Sequence, residues 1–231
     1  MKTNPIIVAL DFESAGQARR LVEQLDEVVS FYKVGLELYA AAGMPFVREL
    51  IERGKQVFLD LKLYDIGETV RRATVQAVRT GVSFLTVHGS KAVLKAAVEG
   101  RADSPLKLLA VTVLTSFDQE DLADLGYPCS ISDLVTLRVR NAMEAGVDGV
   151  VCSPLEVAAV RALAPGAILV TPGVRSAGAG KGDQKRVATP AQALRDGADY
   201  LVIGRQITRA EDPRVEAVKI LEEIRAASYG A

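Results

Sequence analysis

The sequence predicts a single-domain α/β protein, a (β/α)₈ (TIM) barrel that takes up residues 1–231. Short β-rich apolar runs alternate with helical patterns along the chain, no polar linker divides them, and the length suits one α/β barrel. An open doubly wound sheet is the alternative. However, no Gly-x-Gly-x-x-Gly motif follows the first strand, which ends instead at Asp11.

Eight apolar runs have the length and β-branched content of strands buried on both faces of a parallel sheet. We place these strands at residues 5–11, 31–37, 56–62, 84–88, 107–114, 148–152, 167–172 and 200–204. Between them, segments such as 14–25, 44–54 and 189–197 have the apolar spacing of a helix face. Strand and helix therefore alternate in order along the chain.

Signals for helix starts and stops support these boundaries. Ser153-Pro154 and Thr189-Pro190 each place a capping hydroxyl before a proline at the first helical position. Glycines, which favour the left-handed residue that ends a helix, follow four helical patterns and precede a strand: Gly54, Gly81, Gly146 and Gly197.

Composition points to a small-molecule partner and to the cytoplasm. The 28 basic and 29 acidic residues leave a formal charge of −1, so no basic excess indicates nucleic acid or a membrane surface. The N-terminal run is too short for a secretory signal, and no apolar stretch is long enough to span a bilayer. Cys129 and Cys152 show neither a disulfide pattern nor metal-ligand spacing, which is typical of a reducing compartment.

Polar residues stand at or near the carboxyl ends of the predicted strands, where barrels of this class carry their catalytic groups. They are Asp11, Lys33, Asp60, Lys62, His88, Thr115, Ser153 and Thr171. Asp60 and Lys62 are two residues apart, so both side chains should face the barrel interior, whereas Leu59 and Leu61 should face the helices. Two charges on a buried face are costly unless they are paired.

An ion pair that merely fixes the barrel register is the alternative interpretation. Lys33 on the neighbouring strand and Asp65 three residues after Lys62 extend the pair to charges of alternating sign, which favours a catalytic site. Two carboxylates near Lys62 favour its ammonium form, whereas a Schiff-base lysine needs a free amine. Lys62 is therefore predicted to donate a proton rather than to attack as a nucleophile.

The expected chemistry follows from Asp60. A fixed anion beside a substrate carboxylate penalises the ground state, and the penalty disappears when the carboxylate leaves as CO₂. Lys62 would stabilise the resulting carbanion and then protonate it.

The last two strands predict a phosphate site. Arg175 follows Pro172-Gly173 at the end of the seventh strand, and Gly204-Arg205 opens the helix after the eighth. Barrels often bind phosphate at this position through backbone N–H groups, and two arginines can add charge-assisted hydrogen bonds. The Gly-rich segment 175–186 is predicted to be a mobile lid.

Seven blocks in order resemble the orotidine 5′-phosphate decarboxylase family over nearly the whole chain. They are VALDF around Asp11, KVG around Lys33, DLKLYDI from Asp60 to Ile66, VTVLTS at 111–116, VTPGVR at 170–175, GDQKR at 182–186 and VIGR at 202–205. The resemblance implies decarboxylation of orotidine 5′-phosphate to uridine 5′-phosphate in pyrimidine biosynthesis, with no metal or organic cofactor. It also implies a homodimer with shared active sites.

The resemblance further implies roles for individual residues. Lys62 would be the catalytic acid and Asp60 its electrostatic partner, while Lys33 and Asp65, the latter from across the dimer interface, would complete the catalytic charge network. Substrate would be bound by Asp11 and Lys33 at the ribose, with Asp65 and Thr69, and also Ile66, reaching in from the partner, by Thr115 and Ser116 at the pyrimidine, by Gln184 between base and phosphate, and by Arg175, Gly204 and Arg205 at the phosphate.

One segment departs from the family pattern, which often reads Asp-Ile-Pro-Asn-Thr after the lysine. Here Gly67 and Glu68 replace the Pro-Asn pair, while Asp65, Ile66 and Thr69 match.

Two alternatives stay open. A sister group, the 3-keto-gulonate-6-phosphate decarboxylases and hexulose-phosphate synthases, typically has a metal-binding Glu where Lys33 stands and a Thr in place of Leu63. A non-catalytic phospho-ligand sensor would retain the arginines and lose one charge of the network. His88, the only histidine, is interpreted as a packing or interface residue.

Overall fold

The computed structural model describes residues 4–176 and 188–229, and within them eight parallel strands close into one barrel in the order β1 to β8. The predicted (β/α)₈ architecture is thereby confirmed. The strands are β1 Ile6–Ala9, β2 Phe31–Gly35, β3 Gln56–Leu63, β4 Phe84–Val87, β5 Lys107–Val111, β6 Gly149–Val151, β7 Ile168–Thr171 and β8 Tyr200–Ile203.

Helices follow the strands and cover the outside of the barrel. They are α1 Ala15–Gln24, α2 Leu36–Glu52, α3 Gly67–Thr80, α4 Lys91–Arg101, α5 Gln119–Asp124, α6 Ile131–Ala145, α7 Val157–Leu163, α8 Pro190–Arg195, α9 Arg205–Thr208 and α10 Pro213–Tyr229. Two are short additions to the alternating pattern, α5 after β5 and α9 directly after β8. Helix α2 is bent at Gly43, whose φ is 61°.

Strand periodicity divides the core into two layers. Side chains that face outward, such as Val8, Val34 and Leu59, pack with the helices in the large outer cluster. The alternate residues, such as Ile7 and Phe58, form a smaller cluster inside the barrel. The predicted inward direction of Asp60 follows from this alternation, because Phe58 two residues earlier is inside.

Aromatic rings fill the amino-terminal end of the barrel. Phe31, Phe84 and Tyr200 are the first residues of their strands, and their ring centroids lie 5.0 to 5.7 Å apart in edge-to-face arrangements. Phe58 adds a fourth ring, 6.0 Å from Phe84. Because this end is packed, ligands have access only at the carboxyl ends of the strands.

Most of the predicted helix boundaries are confirmed. The four predicted stop glycines have φ values between 73° and 110°, and Thr189 caps α8 by accepting from the N–H of Gln192. The start predicted at Ser153-Pro154 is wrong, because Ser153 lies in a turn and α7 begins only at Val157.

No helix among the described residues is long and apolar enough to cross a membrane.

Candidate active site

A cavity of about 270 Å³ opens at the carboxyl ends of the strands. Nine residues predicted to act on or bind the substrate line it: Asp11, Lys33, Asp60, Lys62, Thr115, Ser116, Arg175, Gly204 and Arg205. They come from β2 and β3, from the segments that follow β1, β5, β7 and β8, and from the first residue of α9. The barrel thus brings together side chains that are far apart in the sequence.

Four side chains form a chain of alternating charge along one wall. Lys33 Nζ donates to Asp11 Oδ1 at 2.9 Å and lies 3.7 Å from Asp60 Oδ2. Lys62 Nζ donates to the other Asp60 oxygen, Oδ1, at 2.9 Å. The side chains of Lys33 and Asp60 are 12% and 13% exposed, so their attraction is little screened by water, whereas Lys62 is 34% exposed at the cavity.

Asp60 is held in its charged form. Burial alone would raise the pKa of its carboxyl, but the two ammonium groups and the hydrogen bonds from Lys62 and Thr86 outweigh burial and lower the pKa below its usual range. A permanent anion therefore lies beside the Lys62 ammonium.

The backbone of β3 is irregular where it presents Lys62. Phe58 and Leu59 pair regularly with Phe84 and Leu85 of β4, but the next pair is Leu63 with Val87, so residues 60–62 face a single β4 residue. Lys62 has a φ of 49°, a left-handed conformation that is unfavourable for a residue with a Cβ atom. Strain of this kind is found mostly at functional sites.

Gly35 makes room for the ion pairs. A Cβ atom on this residue would lie 2.9 Å from Lys33 Nζ and 3.2 Å from Asp11 Oδ1, closer than ordinary contact. The φ of Gly35 is −93°, so the lack of a side chain is needed for space and not for backbone freedom. The glycine of the KVG motif thus lets the Lys33 ammonium approach Asp11.

Arg175 and Arg205 bring two further positive charges to the cavity. Burial and the neighbouring Arg205 charge both lower the pKa of the Arg175 guanidinium from its usual value. Within the described part of the chain, Arg175 Nε is also buried without a hydrogen-bond partner. Two cations held together and a donor lacking an acceptor are typical of an anion site.

Apolar side chains also line the cavity. They are Val111, Val113, Leu114, Val151 and Val202, with Thr115 and Ser116 following β5. Ser116 is exposed and Thr115 is half-buried. The cavity therefore offers an apolar surface with hydroxyl groups beside it, which suits a flat heterocycle with polar edges.

Asp65, Ile66 and Thr69 do not line this cavity, and all three are exposed. Asp65 Oδ1 accepts from the N–H of Ile66 at 2.6 Å where α3 begins, and Ile66 is 73% exposed. Gln184 and most of the predicted lid, residues 177–186, lie outside the described residues.

Three polar residues predicted at strand ends are not part of the cavity lining. Thr171 directly follows the inward-facing Val170, so its side chain points outward and is buried. Ser153 Oγ accepts from the Leu155 N–H in the turn after β6. His88 contacts Tyr64 and Arg138 beside the cavity, and burial and the charges of Arg138 and Lys62 lower its pKa. The packing interpretation of His88 is the one that this placement favours.

Two residues of the site were not predicted from the sequence: Gly35 and Thr86. Thr86 is fully buried and bonds to both Asp60 and Lys62. Its position two residues after the inward-facing Phe84 was the available signal, because period two places it inside the barrel.

The described residues contain no group of three or more His, Cys, Asp or Glu side chains placed to hold a metal ion. The space between the Asp11 and Asp60 carboxylates is occupied by the Lys33 ammonium. A cation bound there would be repelled by Lys33, so the donor set does not suit Mg²⁺.

Comparison with known proteins agrees with this geometry. Residues 4–220 match the model of the orotidine 5′-phosphate decarboxylase / HUMPS family. The orotidine 5′-phosphate decarboxylase of Nitrobacter winogradskyi is 53% identical over 95% of this chain and 92% of its own length. That of a Caulobacter species is 52% identical over 97% of this chain and 99% of its own.

Solved structures agree with the fold. The crystal structure of orotidine 5′-phosphate decarboxylase from Lactobacillus acidophilus superposes with a TM-score of 0.83 and 35% identity, covering 96% of this chain and 99% of that one. The chain therefore belongs to the orotidine 5′-phosphate decarboxylase / HUMPS family.

Proposed function

We propose that this protein is a carboxy-lyase that converts orotidine 5′-phosphate to uridine 5′-phosphate, the last step in forming this pyrimidine nucleotide, with Lys62 as the proton donor. The family match includes a sister group, whereas the two relatives of this chain compared above are both named orotidine 5′-phosphate decarboxylase. The observation that carries the proposal is the Lys33–Asp60–Lys62 ion chain, which shares one cavity with Arg175 and Arg205.

The chemistry follows from the charges. The bond between the pyrimidine ring and its carboxylate breaks, CO₂ leaves, and the electron pair stays on the ring carbon. Lys62 Nζ then gives this carbon a proton, so one proton is consumed for each CO₂ released. Asp60 stays ionised, so it opposes the substrate carboxylate in the ground state and stabilises the Lys62 ammonium that faces the developing carbanion.

The remaining cavity residues bind the nucleotide. The arginines and the backbone at Gly204 hold the phosphate, Asp11 and Lys33 bind ribose hydroxyls, and Thr115 and Ser116 face the pyrimidine. Gln184, outside the described residues, is assigned to the contact between base and phosphate. No metal or organic cofactor takes part in the proposal, which treats residues 1–231 as one catalytic domain.

The proposal includes a homodimer in which each protomer completes the site of the other. Asp65, Ile66 and Thr69 are exposed in a single chain, and Tyr64 and Ile66 are 69% and 73% exposed although both have large, mainly apolar side chains. Burial of these side chains against a second copy would remove apolar surface from water and bring Asp65 to the partner's Lys62. A cytoplasmic location completes the proposal, since both cysteines are free.

Loss of the ultraviolet absorbance of orotidine 5′-phosphate in chelator-treated protein tests the reaction. We expect full turnover in the presence of the chelator, and no measurable turnover from the variant Lys62→Ala, which should still bind uridine 5′-phosphate. Binding of uridine 5′-phosphate by the unmodified protein without release of CO₂ would support the sensor interpretation. Turnover that depends on Mg²⁺ would point to the sister group.

Mixing two inactive variants, Lys62→Ala and Asp65→Ala, tests the shared sites. A mixed dimer has one site with an intact Lys62 and an intact partner Asp65, so random exchange of subunits should restore about a quarter of the unmodified activity. Absence of any recovery, with mixed dimers demonstrated by mass, would refute the placement of Asp65 across the interface.

A further inference from the structure

Thr86 lies opposite the irregular part of β3. It is the only β4 residue between Leu85 and Val87, the two that pair with Leu59 and Leu63. Its side chain is fully buried and faces the barrel interior, because Thr86 follows by two residues Phe84, one of the aromatic residues at the amino-terminal end of the barrel. A hydroxyl at this depth needs hydrogen-bond partners.

The first partner is the backbone of Lys62. The N–H of Lys62 donates to Thr86 Oγ1 at 2.9 Å. Lys62 has the left-handed conformation noted above, which is unfavourable for a residue other than glycine. The Thr86 hydroxyl therefore accepts the hydrogen bond of a backbone N–H at the place where the irregularity of β3 interrupts its pairing with β4.

The second partner is Asp60. Thr86 Oγ1 donates to Asp60 Oδ1 at 2.9 Å, and the same carboxylate oxygen accepts from Lys62 Nζ. A threonine hydroxyl carries one hydrogen, and the Lys62 N–H is itself a donor, so the Thr86 hydrogen is directed to Asp60. One hydroxyl thus connects the backbone of Lys62 to the carboxylate that binds the ammonium of the same lysine.

We propose that Thr86 is a positioning residue for the decarboxylation: its hydroxyl holds the Asp60 carboxylate and the strained Lys62 backbone so that the ammonium points into the cavity. This inference rests on the proposed function, because it assigns Thr86 a role through Lys62. Valine has nearly the same shape as threonine but cannot form either bond, whereas serine can form both.

The test compares Thr86→Val with Thr86→Ser in the full-length protein. For Thr86→Val we expect kcat to fall about 10- to 100-fold, because a small displacement of a reacting group has effects of that size. Its Kd for uridine 5′-phosphate should change less than about threefold, because Thr86 does not line the cavity and the phosphate is assigned to Arg175 and Arg205. Thr86→Ser should retain kcat within about threefold of the unmodified protein, since both hydrogen bonds are restored.

Thr74→Val is the matched control. Thr74 is also fully buried, and its hydroxyl donates to the Val70 carbonyl within α3, away from the cavity. This variant shows whether removal of a buried hydroxyl has a general effect on kcat. We expect it to keep the kcat of the unmodified protein.

Several outcomes would overturn the role of Thr86. They are an unchanged kcat in Thr86→Val, a Thr86→Ser variant as impaired as Thr86→Val, and a loss of uridine 5′-phosphate affinity that matches the loss of kcat. If Thr86→Val does not fold, Thr86→Ala takes its place, and equal kcat in the Ala and Ser variants refutes the inference. An unmodified protein without decarboxylase activity would instead refute the proposed function.

Discussion

Replacement of Gly35 by alanine should impair catalysis while leaving the fold almost unchanged. The added Cβ would lie 2.9 Å from Lys33 Nζ and 3.2 Å from Asp11 Oδ1. Alanine adopts the backbone conformation of Gly35 without strain, since its φ is −93°. The nearest atom is also the tip of a flexible side chain, so the ammonium moves and the backbone stays in place.

The size of the effect follows from the distances. A retreat of the ammonium by about 0.5 Å from Asp60 Oδ2, now 3.7 Å away, would weaken their attraction by about 0.5 kcal/mol at an effective dielectric constant near 20. The same retreat from Asp11 at 2.9 Å would add a few tenths of a kcal/mol, after a discount for its 55% exposed side chain. The sum, about 1 kcal/mol, corresponds to about a fivefold effect.

The assay is the loss of ultraviolet absorbance of orotidine 5′-phosphate, with thermal unfolding measured on the same samples. We expect kcat/KM to fall about fivefold and the melting temperature to change by less than about 3 °C. Gly166→Ala is the control, because a Cβ at Gly166 meets no atom within 4 Å. A kcat/KM of Gly35→Ala equal to that of the unmodified protein would refute the claim that catalysis depends on the position of the Lys33 ammonium.

Three further predictions concern other parts of the barrel. The pKa of the Asp60 carboxyl is lowered in the folded protein, so the free energy of unfolding of the unmodified protein should exceed that of Asp60→Asn by a constant amount above about pH 4, the ordinary carboxyl range. This difference should be lost as the pH falls through the lowered pKa. Urea unfolding measures it, and a loss that begins near pH 6 would contradict the prediction. Arg205→Ala should raise the Kd for uridine 5′-phosphate about 10- to 100-fold by calorimetry, since it removes charge-assisted bonds, whereas the exposed Arg214→Ala should not. Gly149→Ala should lower the free energy of unfolding by about 2–3 kcal/mol, because its Cβ would lie 2.1 Å from the Ile168 carbonyl oxygen; stability equal to that of Gly166→Ala would show that β6 and β7 separate easily.

Period-two alternation explains why so much of the site could be predicted from the sequence. The direction of a strand side chain is a local property, so alternation from Phe58 places Asp60 inside the barrel, and Lys62 also lines the cavity although its backbone departs from regular alternation. The same rule explains the error at Thr171. Its place at a strand end suggested a cavity residue, but Val170 already occupies the inward position.

Features that depend on pairing between distant residues could not be predicted. The irregularity of β3 is defined by its register with β4, and the space at Gly35 is defined by the side chains of Lys33 and Asp11. A sequence window around Lys62 does not include β4, and one around Gly35 includes Lys33 but not Asp11. Asp65 is a further case, because its proposed place in the site depends on a second copy of the chain.

The separation of the charged site from the apolar parts of the barrel explains how such an unfavourable site is tolerated. The amino-terminal end of the barrel interior is apolar and holds the aromatic rings around Phe84, and the outer cluster packs the strands against the helices. The carboxyl-terminal end of the barrel interior holds a nearly buried carboxylate, whose desolvation is offset by two ammonium groups and two hydrogen bonds, and a lysine whose positive φ opposes folding. Burial of apolar surface at the amino-terminal end and in the outer cluster offsets this cost, so the charges can be arranged for the transition state rather than for stability.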